Sequence, residues 1–240
     1  MSDPPAHRID LHGTTVEYTV RRSEDATKAR IDVDVHGVTV TLPAGVAIEA
    51  RRVLEENAAW VVERVRDVDA YLEAIPDRSF EPGAEFPYLN DPHEVVVETR
   101  SYSDVVDGEF RLAAHHVEQT SIRRALETFY RRKARARFEA RAEHFAEEIG
   151  VEYDKIEVRN QRTKWGSCSS TGTLSLNWRL LMGPPAVLDY VVVHELCHRR
   201  EPNHSEAFWA LVAEYDPEYR AHSRWLDENG ARLVFSDDDL

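Results

Sequence analysis

Val191-Val192-Val193-His194-Glu195-Leu196-Cys197-His198-Arg199-Arg200-Glu201-Pro202-Asn203-His204 is the stretch on which the reading of this chain turns. The valine run and Leu196 mark a buried helix, and on a helix residues four apart stand one turn above each other on one face. His194 and His198 therefore aim two imidazoles at one point, where they can share a metal ion, and Glu195 can reach a water on that ion. With 11 His and 26 Glu among 240 residues, this pattern arises by chance in about 0.05 chains of such composition. Requiring a histidine at position 204 lowers that figure to about 0.003. Pro202 cannot continue a helix, since it has no N–H to donate, so the chain can bend and bring His204 to the ion from another direction. Three protein ligands with a fourth position open to water is the composition of a catalytic zinc site. The expected ligands are thus His194, His198 and His204, with Glu195 as the catalytic residue. Imidazoles also suit manganese or cobalt, so the donor set leaves the choice of metal open. Cys197 lies about 100° around the helix from His198 and reads as a core residue rather than a ligand.

On the C-terminal side, Ser205 is placed to cap a helix whose Phe208, Leu211, Val212 and Tyr215 form one apolar stripe bracing His204. Glu201, Glu206, Asp189 and Asp216 are all candidates for a carboxylate that orients the histidines. Helices are expected over about 185–200, 205–215 and 217–229, and strands over 155–160 and 174–177 on the N-terminal side. A long helix spans about 121–149, bounded by Ser121 and Gly150. Residues 1–45 alternate as strands (Val16, Tyr18, Val20; Ile31, Val33, Val35; Val38, Val40, Leu42), with a hairpin turn at His36-Gly37. Helical periodicity follows over 48–75, and short strands broken by Pro82-Gly83, Asp91-Pro92 and Asp107-Gly108 occupy 80–115. The expected organisation is a β-rich N-terminal region over 1–116 with one helix at about 48–75, a catalytic domain over 117–235, and a frayed acidic tail over 236–240.

Taken together, Thr163-Lys164-Trp165-Gly166-Ser167-Cys168-Ser169, the Leu174-Ser175-Leu176-Asn177 strand, the zinc helix and His204-Ser205-Glu206-Ala207-Phe208-Trp209 closely resemble the YgjP-like family of zinc metallopeptidases. The diagnostic part covers residues 117–229. The resemblance implies an α+β chain with a zincin-like core, in which a sheet lies over the zinc helix. It also implies one zinc ion held by His194, His198 and His204, with Glu195 catalytic. The His198-to-His204 spacing matches metzincins too, but those carry glycine where this chain has Glu201, and Met182 precedes the zinc helix, so no Met-turn is available. An extended peptide is expected to add to an edge strand just before that helix. Leu174, Ser175, Leu176 and Asn177 are the predicted substrate-binding residues. For the oxyanion, Arg162, Lys164 and Tyr190 are conceivable partners.

Thirty basic against 44 acidic residues give a net charge of −14, which argues against a general polyanion binder. Lysine is nearly absent (Lys28, Lys133, Lys155 and Lys164 only), a composition that suggests a high-salt interior, where salt screens carboxylate repulsion. No apolar run approaches the roughly 18 residues of a membrane span. Without an apolar leader at Met1, and with only Cys168 and Cys197, a cytoplasmic address without disulfides is expected. The expected function is zinc-dependent hydrolysis of a peptide or protein substrate. Two other functions compete with it. One is hydrolysis of non-peptide amides at the same site. The other is a DNA-associated or regulatory module that binds nucleic acid through the basic helix 122–141, where Arg123, Arg124, Arg131, Arg132, Lys133, Arg135, Arg137 and Arg141 face only Glu127 and Glu139.

Overall fold

Alternating apolar residues pair into strands because every second side chain then shares one buried face. A computed structural model describes residues 6–240, and the chain divides into two compact units at Ile75/Pro76. In the first unit, β1 (His7–Leu11), β2 (Thr14–Ser23), β3 (Arg30–Asp34) and β4 (Gly37–Pro43) form a sheet of order β1-β2-β4-β3. The β2 and β4 strands are parallel and the other pairs antiparallel. Ile9, Leu11, Val16, Val40 and Leu42 are buried with Leu54, Val61 and Val62. These last three belong to α1 (Ala50–Glu56) and α2 (Ala58–Glu73). The single helix expected over 48–75 is therefore two. At the break, the Asn57 Nδ2 donates to the Val53 carbonyl (2.8 Å), so the side chain competes with the main chain for the helical acceptor.

The second unit begins with β5 (Glu85–Tyr88), β6 (Asp91–Glu98), β7 (Asp104–Val106) and β8 (Glu109–Ala113), in the order β5-β6-β8-β7. A short α3 (Ala114–Gln119) leads into α4 (Ile122–Ile149). The 28-residue helix starts where Ser121 Oγ accepts from the Arg124 amide (3.2 Å) and stops at Gly150, whose φ of 72° is the left-handed conformation that glycine adopts without strain. The domain seam expected at 116/117 falls inside this unit. Phe86, Val95, Phe110 and Leu112 of the strands share one core with Phe129, Tyr130 and Phe138 of α4, and the Tyr130 hydroxyl donates to the Pro87 carbonyl (2.5 Å). An apolar sheet face needs a cover, and α4 supplies it.

Beyond α4 lie β9 (Lys155–Arg159), β10 (Gly166–Cys168) and β11 (Thr173–Asn177), a 3-10 turn at Trp178–Met182, then α5 (Pro185–Cys197), α6 (Glu206–Tyr215) and α7 (Tyr219–Asn229). The sheet order is β10-β11-β9. Ile156, Leu174 and Leu176 share the apolar core with α4 and with Leu188, Val192 and Leu196 of α5, giving an α+β unit with the motif helix packed in the core of the unit that holds this sheet. The acidic tail is ordered rather than frayed. Asp239 is buried, and its carboxylate accepts from Asn160 Nδ2 (2.6 Å) and from the amides of Phe235 (2.8 Å) and Ser236 (3.1 Å), with Arg179 Nη1 at 3.9 Å. A buried guanidinium needs a carboxylate nearby, and the tail supplies one. Among the described residues, no helix is long and apolar enough to cross a membrane.

Candidate metal centre

The first two histidines of the motif stand on α5 and its last turn, where the four-residue spacing stacks them. His204 comes from the loop behind Pro202, and Ser205 Oγ caps α6 by accepting from the Phe208 amide (3.3 Å). The structure brings all three rings together. Their ligand-capable atoms lie within 4.8 Å of one another, and the Nε2 atoms of His194 and His204 are 3.0 Å apart. Two nitrogens on one tetrahedral zinc would be about 3.4 Å apart, so the donor set fits a divalent ion. The tautomers agree. His198 Nδ1 faces the Glu201 carbonyl at 3.1 Å and, as the donor there, leaves Nε2 bare for a metal.

Protonation favours the same reading. Burial, reinforced by the neighbouring His198 and His204, pushes the His194 pKa down to about 3. His198 is lowered chiefly by burial. A neutral imidazole is the form that ligates. Burial holds the Cys197 thiol at about 12, so this residue stays a neutral core group. Among the described residues, none of the four candidate carboxylates, Glu206 included, hydrogen-bonds a motif histidine through its side chain. Glu201 acts through its main-chain carbonyl, Asp189 is held by Arg141 (2.7 and 3.0 Å), and Asp216 pairs with His222 (2.8 Å). His194 Nδ1 is buried and has no hydrogen-bond partner among the described residues.

Glu195 is 6% exposed, and burial raises its pKa to about 7 against the opposing effects of the Lys164 charge and a main-chain hydrogen bond from Cys168. A carboxyl poised near neutrality suits a group that takes and returns a proton. Gly166 makes this placement possible. A Cβ built there would lie 2.6 Å from Glu195 Oε1 and 2.9 Å from Val191 Cγ1, so strand β10 approaches α5 as closely as only glycine permits. Sequence reasoning missed this contact, although Trp165-Gly166-Ser167-Cys168 was visible as a motif.

The predicted substrate strand needs correction. β11 is central, with both edges occupied by β10 and β9, and Leu174, Leu176 and Asn177 are fully buried. The Asn177 side chain is committed to the Gln161 carbonyl (2.8 Å) and the Arg179 amide (3.1 Å). Among the described strands, the one at the sheet edge beside Glu195 is β10. Of the conceivable oxyanion partners, Arg162 reaches the Asp238 carbonyl (3.4 Å), Tyr190 is buried edge-on to His194 at 5.8 Å, and Lys164 is exposed near Glu195.

Seven of the eight basic residues of this helix find partners within the protein, Arg137 being the exception among the described residues. Arg124 and Arg131 share Glu127, Arg123 meets Asp238, Lys133 meets Asp104, Arg135 meets Glu139 and Arg141 meets Asp189. Arg132 donates to the Ser103 carbonyl. Three carboxylates distant in sequence, Asp104, Asp189 and Asp238, take up part of a charge that looked unopposed.

Two solved structures are partly similar to the chain. One is the metallopeptidase zymogen of Pyrococcus abyssi abylysin, at 23% identity and a TM-score of 0.36, covering 40% of this chain and 99% of that one. The other is the metallopeptidase zymogen of Methanocaldococcus jannaschii jannalysin, at 22% identity and a TM-score of 0.35, covering 38% and 94%. No curated protein matches. The sequence profile described as YgjP-like, metallopeptidase domain, matches residues 27–229, and the chain accordingly belongs to the YgjP-like metallopeptidase family.

Proposed function

We propose that the chain hydrolyses peptide bonds with one zinc ion held by His194, His198 and His204 and with Glu195 as general base. Membership in a metallopeptidase family makes a metal-dependent peptidase the starting point. The observation that carries the finer reading is the convergence of three imidazoles within 4.8 Å next to a buried glutamate. When bound, zinc acidifies a water and polarises a carbonyl. Glu195 takes the proton at a carboxylate oxygen and hands it to the leaving amine. Its pKa near 7 supports both halves of that transfer. Val191 and β10 exclude solvent from one side of the carboxyl. An extended substrate then runs along the outer edge of β10, Gly166–Cys168, instead of β11.

The test maps new peptide termini by mass spectrometry in a lysate treated with zinc-loaded protein, with Glu195→Gln as control. High salt is used because of the acidic composition. Termini that appear only with the wild type support the reading and reveal the preferred side chains. A protein that binds one zinc through the three histidines and yields no termini above control is not a general peptidase. Turnover of non-peptide amides, lost in Glu195→Gln, would then identify the other hydrolase.

A further inference from the structure

The three histidines are not held alike. His198 has the Glu201 carbonyl behind its Nδ1 (3.1 Å) and lies flat on Phe208 (4.5 Å between centroids, 22°). His194 is fixed by its place in α5 and by the edge of Phe208 (4.9 Å, 74°). His204 stands in the loop before α6 and is exposed. The hydrogen bond seen at its ring is the 3.0 Å contact with His194 Nε2, which uses the nitrogens that both rings need for a metal. Some other contact must fix the plane of this imidazole.

That contact is aromatic. Phe208 meets the His204 ring edge-on at 4.9 Å and 82°, and the Trp209 indole lies along its face at 5.6 Å and 25°. The far face of the indole is covered by Tyr219, stacked at 5.3 Å and 17°, while its edges meet Phe208 (5.0 Å, 83°) and His194 (5.7 Å, 63°). Tyr219 is the first residue of α7, and Arg220 lies over its ring (5.4 Å) while the Arg220 Nε donates to the hydroxyl (3.0 Å). Trp209 is itself set by α6, where its amide donates to the Ser205 carbonyl (3.1 Å). The loop histidine is thus tied to two helices through a stack of flat rings. Such stacking restrains tilt and translation of the imidazole without occupying either nitrogen.

We propose that Trp209 is a positioning residue for the metal centre: held between Tyr219 and His204, it sets the plane of the His204 ring as the Glu201 carbonyl sets that of His198. The proposal rests on the reading of the three histidines as metal ligands. Groups behind metal ligands, when removed, cost about 10–100-fold in affinity.

The experiment titrates the full chain with Co²⁺ and Zn²⁺ in competition with a chelator. It covers the wild type and the variants His204→Ala, Trp209→Leu, Trp209→Phe and Tyr219→Leu, and records the Co²⁺ absorption spectrum and the melting of each metal-free protein. Trp209→Leu is expected to bind about 10–100-fold more weakly with an altered Co²⁺ spectrum, and Trp209→Phe to recover most of both. Tyr219→Leu, which removes only the outer ring, is expected to lose less. These changes must appear in protein whose metal-free melting remains cooperative, and Trp209→Phe and Tyr219→Leu provide the readout should Trp209→Leu fail to fold. Wild-type affinity and spectrum in Trp209→Leu overturn the proposal, as does a Trp209→Phe variant no better than a folded Trp209→Leu. If His204→Ala binds metal as the wild type does, the ligand assignment itself fails, which is a distinct result.

Discussion

Adding one methyl group at Gly166 should disable the site while leaving the metal in place. The Cβ of Gly166→Ala would lie 2.6 Å from Glu195 Oε1, 2.8 Å from Glu195 Cγ and 2.9 Å from Val191 Cγ1. Carbon contacts settle at about 3.5–4.0 Å, so something must yield by nearly 1 Å. Val191 and Glu195 are one turn apart on α5, which is buried on several sides. The Glu195 carboxyl or strand β10 must therefore move. Misplacing a catalytic group by 1 Å costs about 100-fold in rate, and overpacking costs about 1–3 kcal/mol. The assay compares kcat on a cleaved peptide, metal content and urea unfolding. A rate down by about two orders of magnitude is expected, with metal still at one per chain and stability reduced within that range. A double-mutant cycle separates the cause, because Glu195→Ala removes the atoms the new methyl meets and should relieve much of the stability cost. A Gly166→Ala enzyme with unchanged rate and stability would refute the argument, and so would a cost that persists in full beside Glu195→Ala.

Other consequences are as direct. In the metal-free protein, Glu195 is raised from 4.5 to about 7, so its contribution to stability is present in full below pH 4.5 and is lost as pH rises through 7. His194, lowered from 6.5 to about 3, acts with the opposite sign, its contribution being full above pH 6.5 and lost as pH falls towards 3. Glu195→Gln removes only the first effect, so its melting temperature should gain on the wild type between pH 4.5 and 7; a constant difference across that window contradicts the assignment. Asp239→Ala removes the buried acceptor of Asn160 Nδ2 and of the Phe235 and Ser236 amides, together with a carboxylate beside Arg179, and should cost about 3 kcal/mol in urea unfolding, whereas a change below about 0.5 kcal/mol, that of an ordinary surface substitution, would show the tail to be ornamental. Neutralising Arg131, Arg132 and Arg135 should leave DNA retention as weak as in the wild type at every salt concentration at which the protein is folded. A salt-sensitive shift lost in that variant would restore the nucleic-acid reading.

Much of this protein is legible along the chain because it depends on neighbours in sequence. The spacing of His194 and His198, the stop at Pro202 and the caps at Ser121, Gly150 and Ser205 follow from the helical repeat and from which groups can satisfy its ends. Helix α4 lies where its caps predict. The rest depends on which distant segments meet. Strand order made Leu174–Asn177 a central strand and left β10 at the edge, since alternation shows that a strand exists but not which neighbours it takes. Composition could not reveal that α4 covers the 85–113 strands and joins them in one compact unit, nor that Asp238 and Asp239 answer Arg123 and Arg179. The closest contact of the site, Gly166 against Glu195, joins residues 29 positions apart. Local periodicity specifies elements and their faces, but only the packed structure decides which faces are brought together.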